Sequence, residues 1–177
     1  RMTTPGRFFI QHFLRKAVEA GCTAAILELT SEGAAQYRHR GLALDALVFT
    51  NLAPEHIERH GSYGAYADAK FEIGKQLVRS QKRPRIVVAN TDDEQAKRYL
   101  SLPVEQAIGF SLKTHEWHSE TQGGRFVFDG QSIFISLPGA FSLRNALAAA
   151  SLAKALAIPV SIIAPAISKV KTFPGRA

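Results

Sequence analysis

Four short apolar runs set between stretches of helical length constrain this 177-residue chain more than any other feature. Residues 24–29, 46–49, 86–89 and, more weakly, 107–110 are each long enough for a buried strand. The intervening segments carry helical periodicity. Over 7–20, Phe8, Ile10, Phe13, Leu14, Ala17 and Val18 fall largely on one face, and Gly21 supplies a stop. Pro54 suits the first turn of a helix that Gly61 ends. The helix expected over 63–78 turns Tyr63, Tyr66, Ala67, Ile73 and Leu77 inward. Strands that alternate with helices build a parallel sheet.

The pattern changes near residue 124. Residues 124–128 and 132–137 read as two strands joined at Asp129-Gly130, a pair that accepts the positive φ of a tight hairpin turn. Alanine-rich helices are expected over 143–157, with Ser142 as N-cap, and over 161–170. The fold class is therefore α/β: a mostly parallel sheet flanked by helices, with a small antiparallel β appendage.

Composition narrows the function. Apolar residues make up 46% of the chain and charged ones 21%, as in a folded soluble domain. No apolar run reaches the roughly 18 residues of a membrane helix, and no signal-peptide pattern opens the chain, so no membrane partner is expected. The single cysteine, Cys22, reads as a small core thiol in a reducing, cytoplasmic compartment. A net charge of +7 favours anionic partners. The basic residues are scattered and lack interleaved aromatics, which argues against nucleic acid and for nucleotides or phosphorylated substrates.

In open α/β sheets ligands gather beyond the carboxyl ends of the strands. Glu28, Thr30 and Ser31 lie at the first such end, Thr50 and Asn51 at the second, and Asn90, Asp92 and Asp93 at the third. Taken singly, each also serves as a cap or turn residue. His56 and His60 share a helical face, but two further zinc ligands are not evident. Lys70 sits in the middle of the inward stripe of 63–78, where an ammonium must be paired, snorkel to water or lose its proton. No Gly-x-x-x-x-Gly-Lys-Ser/Thr phosphate loop occurs.

Several segments together resemble the Mur ligase family. Leu27-Glu-Leu-Thr-Ser-Glu-Gly-Ala-Ala-Gln-Tyr-Arg38 is similar to its Met-Glu-Val-Ser-Ser-His-x-Leu stretch. Phe49-Thr-Asn-Leu-Ala-Pro-Glu-His-Ile-Glu-Arg-His-Gly61 resembles Phe-Thr-Asn-Leu-x-x-Asp-His-Leu-Asp-x-His-Gly, and Tyr66-Ala-Asp-Ala-Lys70 resembles Tyr-x-x-Ala-Lys. Asn90-Thr-Asp-Asp93, the 139–145 segment and Pro174-Gly-Arg176 resemble Asn-x-Asp-Asp, Gly-x-Phe-Asn-x-x-Asn and Pro-Gly-Arg. Thr3-Thr4-Pro5 matches a Thr-Thr-Pro of the family's tripeptide-synthetase branch.

The resemblance implies the central, ATP-binding domain over 1–172, without its N-terminal phosphate loop, and a hinge at 173–177 towards an absent third domain. It implies a cytoplasmic, monomeric ligase that uses ATP and Mg2+ to join an amino acid to a UDP-N-acetylmuramyl-peptide in peptidoglycan synthesis, through an acyl phosphate. Lys70 would be carbamylated and, with Glu28 and His56, would be catalytic and hold magnesium. Thr3, Thr4, Thr30, Gln36 and Arg38 would bind the muramyl substrate, and Asn145 and Asn51 the nucleotide. The sequence departs from the family at Glu32 (for His), Glu55 and Glu58 (for Asp) and Ser142 (for Asn). Without the flanking domains the isolated chain is expected to be inert. A folylpolyglutamate- or cyanophycin-synthetase-like ligase, or a non-catalytic binding module of the same fold, remain the alternative readings.

Overall fold

A computed structural model describes residues 4–53 and 60–171. They fall into two units, the first comprising residues up to 45 and 53–83, the second 46–52 and 84 onward.

The second unit holds the sheet. Strands β1 (Ala46–Phe49), β2 (Ile86–Asn90) and β3 (Gln106–Phe110) are parallel in the order β1-β2-β3. Ala46 faces Ile86 in register, and Ile86 faces Gln106. All five residues of β2 are buried, as expected of the central strand of a parallel sheet. The short helix α4 (Ala96–Leu100) connects β2 to β3, and Tyr99 on it stacks on Phe49 of β1 at 4.2 Å.

A second, antiparallel sheet follows: β4 (Trp117–Glu120), β5 (Gly123–Phe128) and β6 (Gln131–Ile135). The expected hairpin is β5–β6. Its turn residues take φ of 52° at Asp129 and 75° at Gly130, the two positive values of a type I′ turn. Strand β4 was not expected, because Trp-His-Ser-Glu shows no run of strand-forming residues. It is recruited by pairing with β5, Trp117 opposite Phe126.

The long helix α5 (Ala140–Ala155) joins the two sheets into one core. Leu143, Ala146, Leu147 and Ala150 pack with Ile86, Val88 and Phe110 of the parallel sheet and with Phe126, Phe128, Ile133 and Ile135 of the antiparallel one. The helix starts three residues earlier than expected. Gly139, at φ 86°, is its N-cap, while Ser142 lies inside the first turn and donates its hydroxyl to Pro138 O at 2.9 Å. At the other end Ala157 adopts φ 60° and Ile158 N–H reaches back to Ala153 O at 3.0 Å, a Schellman closure followed by Pro159. Helix α6 (Val160–Ser168) then packs on α5 and β6, where Ser168 Oγ donates to Phe134 O.

The first unit is helical. It contains α1 (Arg7–Glu19), the five-residue α2 (Ser31–Ala35) and α3 (Tyr63–Val78). Ser62 caps α3 by accepting from Ala65 N–H at 3.1 Å. Tyr66, Ala67, Ile73 and Leu77 are buried as expected, whereas Tyr63 is exposed. Two further expectations fail. Residues 24–29 belong to no sheet among the described residues, and Ile26 is 96% exposed. Apolar content alone does not make a strand, which needs a neighbour to take its backbone hydrogen bonds. On α1 only Ile10 is buried, while Phe8 is 79% exposed and Phe9, Phe13 and Val18 also face solvent. Cys22, expected in the core, is an exposed free thiol beside that face. The helix expected over 54–61 lies mostly outside the described residues.

Candidate functional site

The site grows from one buried hydroxyl in the first unit. Thr4 is 3% exposed, and its Oγ1 accepts from Thr30 N–H at 2.8 Å, lies 3.1 Å from Thr30 Oγ1 and approaches Glu28 O at 3.4 Å. Thr30 in turn caps α2, its Oγ1 accepting from Gly33 N–H at 3.1 Å. Gly33 carries no side chain at the place where one would collide: an added Cβ would sit 2.6 Å from Thr4 Cβ.

The end of α2 delivers the cation. Arg38 N–H reaches back to Gly33 O at 2.8 Å and Tyr37 N–H to Ala34 O at 2.9 Å, closing the helix with Tyr37 at φ 55°. A non-glycine residue in that left-handed position costs about 1–2 kcal/mol. The Arg40 guanidinium lies 3.8 Å from the centre of the Tyr37 ring and offsets part of that cost. Arg38 then folds back, with Nη1 donating to Thr4 O and Nη2 to Gln36 Oε1 at 2.6 Å. Thr4, Thr30, Gln36 and Arg38, four of the residues singled out for substrate, thus form one hydrogen-bonded knot. A half-buried guanidinium beside two threonine hydroxyls is chemically suited to an anionic, hydroxyl-rich ligand.

Thr4 and Thr30 also line a cleft of about 310 Å³ with Phe9, Ile10 and Phe13 of α1 and with Ile26 to Thr30. Glu28 lies on its wall, on the run where the sequence suggested a strand end. Thr3 and His56 lie outside the described residues.

Lys70 stands on α3, half-buried, with Nζ 5.6 Å from the centre of the Tyr66 ring. Tyr66 also packs against His60 at 5.3 Å and Tyr63 at 6.3 Å. A ring face favours the ammonium form, so carbamylation, which needs the neutral amine, works against this contact. Among the described residues no group of three or more His, Cys, Asp or Glu side chains stands ready to hold a metal. The carboxylate of Glu28 is nonetheless a hard oxygen donor of the kind magnesium takes.

In the second unit the strand-end residues tie loops together. Asn90, 2% exposed, donates from Nδ2 to Thr50 O at 2.8 Å, and its Oδ1 accepts from Asp92 N–H. Asp93 receives Leu52 N–H at 2.6 Å and Gln95 N–H at 2.9 Å. Thr50 donates to the Asn51 side chain at 3.3 Å. Asn145, placed in the first turn by sequence, sits on the second turn of α5 and is half-buried. Sequence reasoning missed the partners of Asp92. Its burial raises the carboxyl, but hydrogen bonds from Ser111 and Lys113, with the charges of Lys113 and Arg144, hold it below its ordinary range. Ser111 and Lys113 lie in the 3-10 turn that follows β3 and Arg144 on α5, too distant in sequence to be paired by pattern.

This combination of parallel sheet, antiparallel appendage and threonine–arginine knot places the chain in a defined class. Residues 1–153 match the Mur ligase middle domain, and the chain belongs to that family. Among its relatives, the UDP-N-acetylmuramoyl-L-alanyl-D-glutamate–2,6-diaminopimelate ligase of Listeria monocytogenes serotype 4b (strain F2365) is 31% identical over 98% of this chain. The UDP-N-acetylmuramyl-tripeptide synthetase of Roseiflexus sp. (strain RS-1) is 30% identical over 99% of it. A solved structure of a UDP-N-acetylmuramoyl-L-alanyl-D-glutamate–2,6-diaminopimelate ligase superposes with a TM-score of 0.80 at 25% identity, covering 97% of this chain. The chain spans 37% of the length of the first of these relatives and 38% of the second. No helix among the described residues is long and apolar enough to cross a membrane.

Proposed function

We propose that this chain is the middle domain of an ATP-dependent ligase that adds an amino acid to a UDP-N-acetylmuramyl-peptide in peptidoglycan synthesis, working with further domains of its parent enzyme. The observation that carries the reading is the Thr4–Thr30–Gln36–Arg38 knot, in which a guanidinium is fixed on the backbone of Thr4, a residue that lines the cleft with Thr30. Arg38 would take an anionic group of UDP-N-acetylmuramoyl-L-alanyl-D-glutamate, with Thr3, Thr4, Thr30 and Gln36 around it.

Glu28, His56 and a carbamylated Lys70 would hold magnesium, whose role when bound is to neutralise phosphate charge. Asn145 and Asn51 would meet ATP. Residues 1–172 act as one domain in this reading, and 173–177 as its hinge. The chain by itself is expected to show no turnover, since the relatives it matches are more than twice its length.

Titration of the 177-residue chain with UDP-N-acetylmuramoyl-L-alanyl-D-glutamate, followed by amide NMR, tests the proposal. Shifts centred on Thr4, Thr30 and Arg38, weakened at least tenfold in Arg38→Ala, are expected. Binding that Arg38→Ala leaves unchanged would remove the basis for the muramyl substrate.

A further inference from the structure

The short basic cluster Arg38-His39-Arg40 reads as a solvated surface patch, yet its middle residue is 1% exposed. Both ring nitrogens of His39 are buried without a hydrogen-bond partner. A neutral imidazole in that setting already leaves polar atoms unsatisfied, and an imidazolium would cost far more. His39 therefore fills the interior as an uncharged plug.

The plug sits in a turn closed by its own backbone bonds, Arg40 N–H to Tyr37 O at 3.1 Å and Leu42 N–H to His39 O at 3.3 Å. Tyr37 stands at positive φ just before it, and the turn is pinned from two sides: Gln11 of α1 donates to Gly41 O at 3.2 Å, and Gln76 of α3 to Leu42 O at 2.8 Å. The charged groups acting on the imidazole are Glu72 and Arg79 from α3 and Arg40 from the turn; Gln11, the residue of α1 that bonds the turn, is uncharged. Glu72 is itself engaged by Lys75 at 2.5 Å. Burial holds His39 below its ordinary 6.5, Glu72 opposes this, and the two arginines add to it.

We infer that His39 is the positioning residue for Arg38: as an uncharged plug it keeps the 36–42 turn closed, and acid opens that turn. The consequence for substrate rests on the proposed role of Arg38; the anchoring itself does not. Between 6.5 and the lower folded value the opened turn binds a proton that the closed turn refuses. Opening is therefore favoured progressively as pH falls through that window, by at most about tenfold per pH unit.

The test is amide hydrogen exchange by NMR on the full chain, corrected for the intrinsic pH dependence, with His39 titrated in the same samples. In the wild type the protection of the Tyr37 and Arg38 amides falls as pH drops through that window, by at most about tenfold per pH unit, and His39 titrates below its ordinary 6.5. His39→Leu, a non-ionisable plug of similar volume, loses that pH dependence. Should this variant fail to fold, His39→Gln or the wild-type titration decides. Protection that ignores pH in the wild type, or falls equally in His39→Leu, overturns the inference, as does His39 titrating at or above 6.5. Failure of UDP-N-acetylmuramoyl-L-alanyl-D-glutamate to bind at any pH would remove the substrate reading of Arg38 and leave the His39 result standing.

Discussion

Gly33→Ala places two physical effects in opposition. On α2 the change should help, since alanine outranks glycine by up to about 1 kcal/mol inside a helix. The structure says otherwise. The new Cβ would lie 2.6 Å from Thr4 Cβ and 2.7 Å from Thr4 Oγ1, closer than carbon and oxygen pack. Thr4 is buried and cannot swing aside without releasing Thr30 N–H and Thr30 Oγ1. Relieving such a clash costs about 1–3 kcal/mol. Each lost hydrogen bond adds about 0.5–1.5 kcal/mol. Set against the helix gain, the net loss is about 1–5 kcal/mol. Exchange of the Thr30 amide is the direct assay, because its acceptor is Thr4 Oγ1; protection should drop in Gly33→Ala. A Gly33→Ala chain as stable as the wild type, with Thr30 protection intact, would show that the close approach is not a constraint and would refute the reasoning.

Two further expectations concern the second unit. Leu147 is fully buried between the two sheets, so Leu147→Ala should cost about 2–5 kcal/mol in denaturant unfolding, and a loss below about 1 kcal/mol would mean that α5 does not carry the core. Arg85 holds the Glu105 carboxyl down to about 2, through its side chain first and its backbone amide second. Because the folded value lies below the ordinary 4.5, this contribution is complete above 4.5 and fades as pH falls towards about 2; carboxyl NMR should show Glu105 returning towards 4.5 in Arg85→Ala, and an unchanged titration would deny the pairing.

Elements whose signal is local were legible in the sequence. β2 and its neighbours, the Asp129-Gly130 hairpin and the inner stripe of α3 all follow from patterns contained within about fifteen residues. What escaped depended on partners. The 24–29 run has strand composition and no ladder among the described residues, and β4 has a ladder without strand composition. His39 lies between two arginines, so its neighbours in sequence suggest water, whereas the fold of the chain around 36–42 puts it inside. Ser142 looked like an N-cap because of its type, yet Gly139, able to take φ 86°, starts the helix sooner. Of the candidate site, the threonine and arginine positions emerged together from motif order. Their cohesion through the Oγ1 and the backbone carbonyl of Thr4 was not readable, because 24 or more residues separate the partners.

Phe8, Phe9, Phe13 and Val18 of α1, together with Ile26, present oily surface to the medium. Surfaces of that kind cohere. In concentrated preparations of this polypeptide, colloidal behaviour rather than thermal melting will therefore set the working range. Light scattering should climb with protein concentration while circular dichroism still reports an intact fold, and replacing Ile26 by lysine should extend that range.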